Sequence, residues 1–109
     1  MDNVVEIVTF KLLENTDHEQ LIEASKQSQK FIANLPGFQY RSTSYNSETD
    51  TWTDIVYWDS LESAKAASEK FDSSPDCQPL MALIDPQSVD MQHQSIKMDD
   101  LAVKYQKAM

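Results

Sequence analysis

The stretch FQYRSTSYNSETDTWTDIVYWD, residues 38–59, decides the fold of this chain. Its two ends, residues 38–45 and 51–59, are rich in aromatic and β-branched side chains, which are typical of β-strands. The residues between them, 46–50, are all polar and suit the short loop of a hairpin. Residues 38–59 are therefore predicted to form two antiparallel strands.

A strand and a helix are predicted before this hairpin. Residues 3–13, NVVEIVTFKLL, are dense in Val, Ile, Thr and Phe, and apolar side chains fall on both faces of the strand. Thr16 and Glu19 have the spacing of a capping box, so we expect a helix to begin there, with an apolar stripe that continues to Asn34. The dipeptide at positions 36–37, Pro-Gly, then ends the helix.

The remainder of the chain predicts a second helix, a short helical segment, a fourth strand and a terminal helix. The second helix has a capping residue at its start and a buried stripe of mostly small side chains. The fourth strand is indicated by alternation of apolar and polar residues. The predicted ranges are 60–71 for the second helix, capped by Asp59 or Ser60, 80–84 for the short segment, 88–98 for the strand and 99–107 for the terminal helix.

This order of elements, β-α-β-β-α-(short α)-β-α, predicts an α+β fold of the ferredoxin-like, split β-α-β type. Two long helices would cover one face of a four-stranded antiparallel sheet. The first strand is apolar on both faces, so we expect a second copy of the chain to pack sheet to sheet against the open face, as a homodimer. Residues 1–98 form the predicted domain and residues 99–109 a helical tail.

The composition bears on partners and location. The chain has 109 residues, with 18 acidic and 9 basic side chains, a formal charge of −9 and a pI near 4.4. This charge opposes binding to nucleic acids and to anionic membrane surfaces. No signal peptide or spanning helix is evident, and a single cysteine, Cys77, allows no disulfide within the chain. We expect a cytoplasmic protein.

Three segments carry a resemblance to a known family: LPGF (35–38), the strand at 52–58, and the junction YWDSLESA (57–64). They resemble the dimeric α+β barrel superfamily, and within it the antibiotic-biosynthesis-monooxygenase-like (ABM-like) branch. The resemblance covers residues 3–98 and implies a cofactor-independent monooxygenase that acts on an aromatic or polyketide-like compound. One alternative is a non-catalytic dimeric barrel that binds a ligand or serves in a stress response, and another is a purely structural dimer whose apolar face is filled by side chains.

The resemblance also implies a ligand pocket between the sheet and its helices. Trp58 matches the tryptophan that flanks the ligand in several members of the branch. Small residues on the second helix, at positions 64 and 66–68, leave room opposite the third strand for an apolar cavity. The side chains expected to contact a flat aromatic ligand are Trp58, Tyr40, Phe10 and Trp52.

Three side chains are candidates for moving a proton. Asp54 lies between aromatic residues on the third strand and suits a general base, unless it lies at the sheet rim or pairs with Arg41 across the hairpin. Glu6 shares the inward face of the neighbouring first strand, where the two carboxylates could converge, but it could instead lie at the barrel end or dimer seam. His93 alternates with apolar residues along the fourth strand and is expected to point inward. There it could carry a proton, or it could be an interior histidine with its hydrogen bonds satisfied.

The sequence predicts neither a metal nor a cofactor. Two separated histidines and one cysteine do not have the spacing of a metal site. With Gly37 as the single glycine, glycine-rich phosphate loops are excluded. The resemblance does not extend to the haem-degrading members of the superfamily, because their Asn on the first strand and their His have no counterpart in this sequence.

Overall fold

Four antiparallel strands and three helices make up the part of the chain that the computed structural model describes, residues 3–99. The strand order in the sheet is β2-β3-β1-β4, which is that of the predicted ferredoxin-like α+β fold. The predicted helical tail, residues 99–109, lies outside the described residues apart from Asp99. The elements are β1 (Val4–Phe10), α1 (His18–Ile32), β2 (Phe38–Asn46), β3 (Thr51–Trp58), α2 (Leu61–Ser73), α3 (Gln78–Met81) and β4 (Asp90–Ser95), with a 3-10 turn at Pro86–Ser88.

The helices pack on one face of the sheet, as predicted. Inward side chains of the strands and the apolar stripes of the helices form two neighbouring clusters, one at each end of the sheet. On the opposite face, β1 and β3 present half-buried apolar side chains that no described element covers. The first cluster contains Phe10, Leu21, Ala24, Trp52 and Leu80, and the second contains Ile32, Val56, Trp58, Ala64 and Ala67.

The capping box of α1 lies one residue later than predicted. The side chain of Asp17, not that of Thr16, accepts a hydrogen bond from the amide of Glu19, and the side chain of Gln20 accepts from the amide of Asp17. Aspartate is at least as good as threonine at this position. The helix therefore begins at His18, and it ends two residues before the predicted Asn34.

The first and fourth strands are both shorter than predicted. Lys11 leaves the ladder because its amide donates to the Ser88 hydroxyl, 2.8 Å away, and its carbonyl accepts from the amide of Asp85. Proline cannot donate a ladder hydrogen bond, and the 3-10 turn at Pro86–Ser88 delays the start of β4. The end of β1 and the start of β4 are thus fixed by contacts between distant parts of the chain.

The backbone of the turn after α1 packs closely against the residues at the start of α2. Gly37 has a φ of 83°, and its carbonyl accepts a hydrogen bond from the amide of Asp59 at 2.9 Å. A side chain at this position would collide with the side chains of Asp59 and Ser63. Ser60, the second of the two predicted caps, accepts from the amide of Ser63 and starts the helix.

No helix within residues 3–99 is long and apolar enough to cross a membrane.

Candidate functional site

A cavity of about 460 Å³ lies between the inward face of the sheet and helices α2 and α3. Its walls are largely apolar, with a few polar side chains contributed by β1, β3 and α2. Ala67 and Ser68 form part of the α2 wall, as the small residues of this helix predicted. The lining residues are Glu6, Val8, Phe10, Ile32, Leu35, Asp54, Val56, Trp58, Ala67, Ser68, Phe71, Asp72, Leu80, Met81, Ile84, Pro86, Val89 and Met91.

Glu6 and His93 form a polar pair on this face of the sheet. They are direct neighbours across the β1–β4 ladder, and His93 Nε2 lies 3.2 Å from Glu6 Oε1. Glu6 is only 8% exposed. Burial raises the pKa of Glu6, the negative charge of Asp54 raises it further, and the contact with His93 partly opposes this rise. The pair can therefore hold or release a proton beside the cavity.

Trp58 brings a hydrogen-bond donor to the same wall. It is 2% exposed, and its indole Nε1 has no hydrogen-bond partner among the described residues. The indole lies on the Glu6 side of the cavity without a formed hydrogen bond to Glu6, and its N–H dipole still favours the ionised form of Glu6 and opposes the rise in its pKa. A buried donor without a partner carries a free-energy cost, which a ligand oxygen would remove.

Asp54 also lines the cavity, but its carboxylate is held by Arg41. Arg41 Nε and Nη2 each lie 2.9 Å from a carboxylate oxygen of Asp54, and the Thr43 hydroxyl donates to Asp54 at 3.3 Å. Behind the pair, Arg41 Nη1 donates to the hydroxyl of Ser28, which is fully buried on α1. This is the cross-hairpin pairing that the sequence offered as the alternative to catalysis.

Phe10 and Trp58 line the cavity, whereas two other aromatic residues expected there do not. Trp52 is buried at the far end of the sheet, where its ring packs 5.0 Å from that of His18. Tyr40 lies on the opposite face, across from Tyr57, and is 60% exposed. Tyr40 and Trp52, both predicted as ligand contacts, therefore do not line this cavity.

The physical reason for the position of Tyr40 is a bulge in β2. Phe38 lies opposite Trp58, and its ring packs 5.9 Å from the indole, as alternation requires. The register shifts between Phe38 and Tyr40, so that Tyr40 lies opposite Tyr57 instead. One extra residue in one strand of an antiparallel pair reverses the faces of the side chains that follow.

The mouth of the cavity includes residues that sequence reasoning missed. Met81, Val89 and Met91 line the cavity and are each more than one-third exposed, which makes its rim apolar. Asp72 adds a carboxylate to the rim. It lies one helical turn after Ser68, so the period of α2 was a signal that could have placed both on the cavity side.

Cys77 and the histidines do not form a metal site in the described part of the chain. Residues 3–99 contain no group of three or more His, Cys, Asp or Glu side chains that could hold a metal ion. Cys77 is fully buried, and this burial raises the pKa of its thiol, which keeps the thiol unreactive.

Comparison with known proteins identifies the fold. No family model matches the sequence, and no curated protein matches it. Solved structures do match it. SnoaB, a cofactor-independent oxygenase from Streptomyces nogalater, superposes with a TM-score of 0.71 at 15% identity, over 92% of this chain and 98% of that chain.

Two further structures have the same fold. A candidate antibiotic biosynthesis monooxygenase from Bordetella bronchiseptica matches with a TM-score of 0.75 at 11% identity, over 90% of this chain and all of that chain. A dimeric ferredoxin-like protein from Jannaschia matches with a TM-score of 0.65 at 15% identity, over 86% of this chain and 99% of that chain. The chain has the ferredoxin-like fold of ABM-domain proteins, which confirms the fold that the resemblance implied.

Proposed function

We propose that this protein is a cofactor-independent monooxygenase that acts on a flat aromatic or polyketide-like compound bound in the cavity. The observation that carries the proposal is the convergence of Glu6, paired with His93, and the unpartnered indole N–H of Trp58 on one apolar wall. Together they supply a group that takes a proton and a donor that binds the oxygen on which negative charge develops.

In the proposed reaction, Glu6 accepts a proton from a phenolic or enolic hydroxyl of the substrate, and His93 stabilises the proton on the pair. The resulting anion is electron-rich and reacts with dioxygen. Conversion of a ring CH₂ to a carbonyl places one oxygen atom in the product and releases the other as water. The two electrons that reduce this second atom come from the substrate, so the balance needs no external reductant.

This proposal assigns Asp54 a different role from that expected from the sequence. Both of its carboxylate oxygens accept hydrogen bonds from Arg41, and the Thr43 hydroxyl adds another. Because these hydrogen bonds engage its oxygen atoms, the carboxylate has little free capacity to accept a hydrogen bond from a substrate hydroxyl. We therefore propose that Glu6 is the base and that Asp54 acts on it as a fixed neighbouring charge.

The proposal includes a homodimer. The sheet face away from the helices carries Val5, Ile7, Ile55 and Tyr57, all half-buried in the single chain. A second copy packed on this face would remove their remaining apolar surface from water. The similar structure from Jannaschia is a dimeric protein, which supports this arrangement. Native mass spectrometry checks it, and a monomer at micromolar concentration would contradict it.

A second function, ligand binding without turnover, is favoured by the Asp54–Arg41 pair. This pair removes one of the three candidate proton-transfer groups, and the remaining Glu6–His93 pair is also compatible with a structural role. A non-catalytic protein of this kind would bind the same aromatic compounds and consume no dioxygen.

Dioxygen consumption with a dihydroxyanthrone as the probe distinguishes the two functions. We expect the wild-type protein to consume dioxygen faster than the uncatalysed reaction, and Glu6→Gln to lower the enzymatic rate by about 100-fold or more. Glu23→Gln is the matched control, because Glu23 is exposed on α1 and lies away from the cavity. Binding of the anthrone without dioxygen consumption would favour the binding protein, and absence of both would overturn the proposal.

A further inference from the structure

We infer that the cavity selects uncharged aromatic compounds over anionic ones, so that its ligand carries a carbonyl and a hydroxyl but no carboxylate or sulfonate. This inference deepens the proposed function and depends on the ligand-binding part of it. Three observations support it: the charges of the side chains that line the cavity, the hydrogen bonds that Arg41 already makes to Asp54 and Ser28, and the unpartnered indole N–H of Trp58.

The charged side chains that line the cavity are all acidic. Glu6 and Asp54 lie on the sheet wall and Asp72 lies at the rim, whereas no lysine, arginine or histidine is present among the described lining residues. The other walls are mostly aliphatic and aromatic. An anion that enters loses its hydration and meets carboxylates, with no cation in the lining to offset the cost.

His93 and Arg41 are the basic side chains in contact with these carboxylates: His93 Nε2 lies 3.2 Å from Glu6 Oε1, and each guanidinium nitrogen of Arg41 has an acceptor. Nε and Nη2 donate to Asp54, while Nη1 donates to the Ser28 hydroxyl at 2.9 Å and to the Ser25 carbonyl at 3.3 Å. Its side chain is 5% exposed, which leaves little of the guanidinium accessible from the cavity. Arg41 therefore balances Asp54 and does not provide a site for an anionic ligand.

The free donor in the cavity matches a neutral acceptor. The Trp58 N–H is buried and unpartnered within the described residues, and an uncharged carbonyl oxygen would satisfy it. Glu6 on the same wall accepts a hydrogen bond from a hydroxyl when ionised and donates one when protonated. A ligand with adjacent carbonyl and hydroxyl groups would satisfy both side chains without bringing a charge into the apolar cavity.

The residues at the rim of the cavity also favour uncharged aromatic compounds over anionic ones. Met81, Val89 and Met91 offer an apolar surface to an incoming ring, while the Asp72 carboxylate repels an anion at the same opening. Because Asp72 is exposed, its effect should weaken with salt, whereas discrimination inside the cavity should persist. Selection is therefore expected at two levels, at entry and after desolvation.

The test compares two probes of similar shape, a hydroxyanthraquinone and the same compound with a carboxylate, by quenching of tryptophan fluorescence in the full chain. We expect the neutral probe to bind at least about tenfold more tightly than the acid. Glu6→Gln and Asp72→Asn should each reduce this ratio. Asp76→Asn is the matched control for Asp72, since Asp76 is exposed but does not line the cavity, and it should leave the ratio unchanged.

Each outcome decides the matter. A reduced ratio in both cavity variants, with an unchanged ratio in Asp76→Asn, supports the inference. Equal affinities of the two probes for the wild-type protein would overturn it and leave the proposed function standing. A ratio unaffected by Glu6→Gln and Asp72→Asn would also overturn it, because these carboxylates would not be the source of selection. Failure of both probes to bind would overturn the inference together with the proposed function.

Discussion

The Nε2 atom of His93 lies 3.2 Å from Oε1 of Glu6, across the ladder between the first and fourth strands. The two residues are 87 positions apart in the sequence. Their contact gives the inward face of the sheet a titratable pair beside a largely apolar cavity. The consequences of this pair can be measured even before a substrate is known.

The stability of the folded chain should depend on the protonation of Glu6. Burial raises its folded pKa above the ordinary value of 4.5, so the folded state binds this proton more tightly than the unfolded state does. The resulting stabilisation is complete below the unfolded pKa and is lost as pH rises through the folded pKa. Glu6→Gln should therefore gain stability relative to wild type as pH rises through this window.

Urea unfolding at a series of pH values from acidic to neutral measures this difference. Glu23→Gln serves as the control, because Glu23 is exposed. A difference between Glu6→Gln and wild type that stays constant over the whole series would contradict the prediction.

Removal of the charge of Arg41 should destabilise the fold strongly. Arg41→Met leaves the Asp54 carboxylate in a partly buried position without its cation, and we expect a loss of about 3 kcal/mol in the free energy of unfolding. Much of this loss should be recovered in the double variant Arg41→Met/Asp54→Leu, because neither charge then remains. Urea denaturation of both variants provides the test, and purely additive losses would argue against the pair.

The indole N–H of Trp58 should matter more to a ligand than to the empty protein. Trp58→Phe keeps an aromatic ring and removes a donor that has no partner in the described structure, so the free energy of unfolding should change by less than about 2 kcal/mol. Binding of a hydroxyanthraquinone should weaken at least about tenfold. Calorimetry detects both effects, and unchanged binding would show that the ligand does not use this donor.

Filling the cavity from α2 should block binding without unfolding the protein. Ser68 lines the cavity, so Ser68→Leu projects an apolar side chain into space that a ligand would occupy. Ala66→Leu is the matched control on the exposed side of the same helix. We expect loss of probe binding in Ser68→Leu alone, while the thermal unfolding of both variants remains cooperative. Retained binding in Ser68→Leu would place the ligand elsewhere.

The turn at Gly37 should tolerate no side chain. Gly37→Ala forces alanine into a φ of 83° and drives its Cβ into Asp59 and Ser63, so we expect a loss of at least about 2 kcal/mol. Asn15, which has a φ of 64°, gives a contrasting change: Asn15→Gly should have little effect or stabilise the chain. Thermal unfolding compares them, and equal effects of the two changes would contradict the prediction.

Local chemistry made most of the fold predictable. The spacing of apolar residues located both long helices, and Pro36 and Gly37 located the end of the first. The exact cap of α1 was not predictable, because Thr16 and Asp17 both begin an acceptable capping box. The ends of β1 and β4 were not predictable either, because Lys11 is held by residues more than seventy positions later in the chain.

The sequence by itself determined which side chains of β1 and of β3 share a face, because alternation along a strand depends only on neighbouring residues. Glu6, Asp54 and Trp58 all line the cavity. Only the tertiary structure decided what each of them meets there. Strand pairing places His93 next to Glu6 and Arg41 next to Asp54. A bulge in β2, which the amino-acid composition does not predict, places Tyr40 on the opposite face of the sheet.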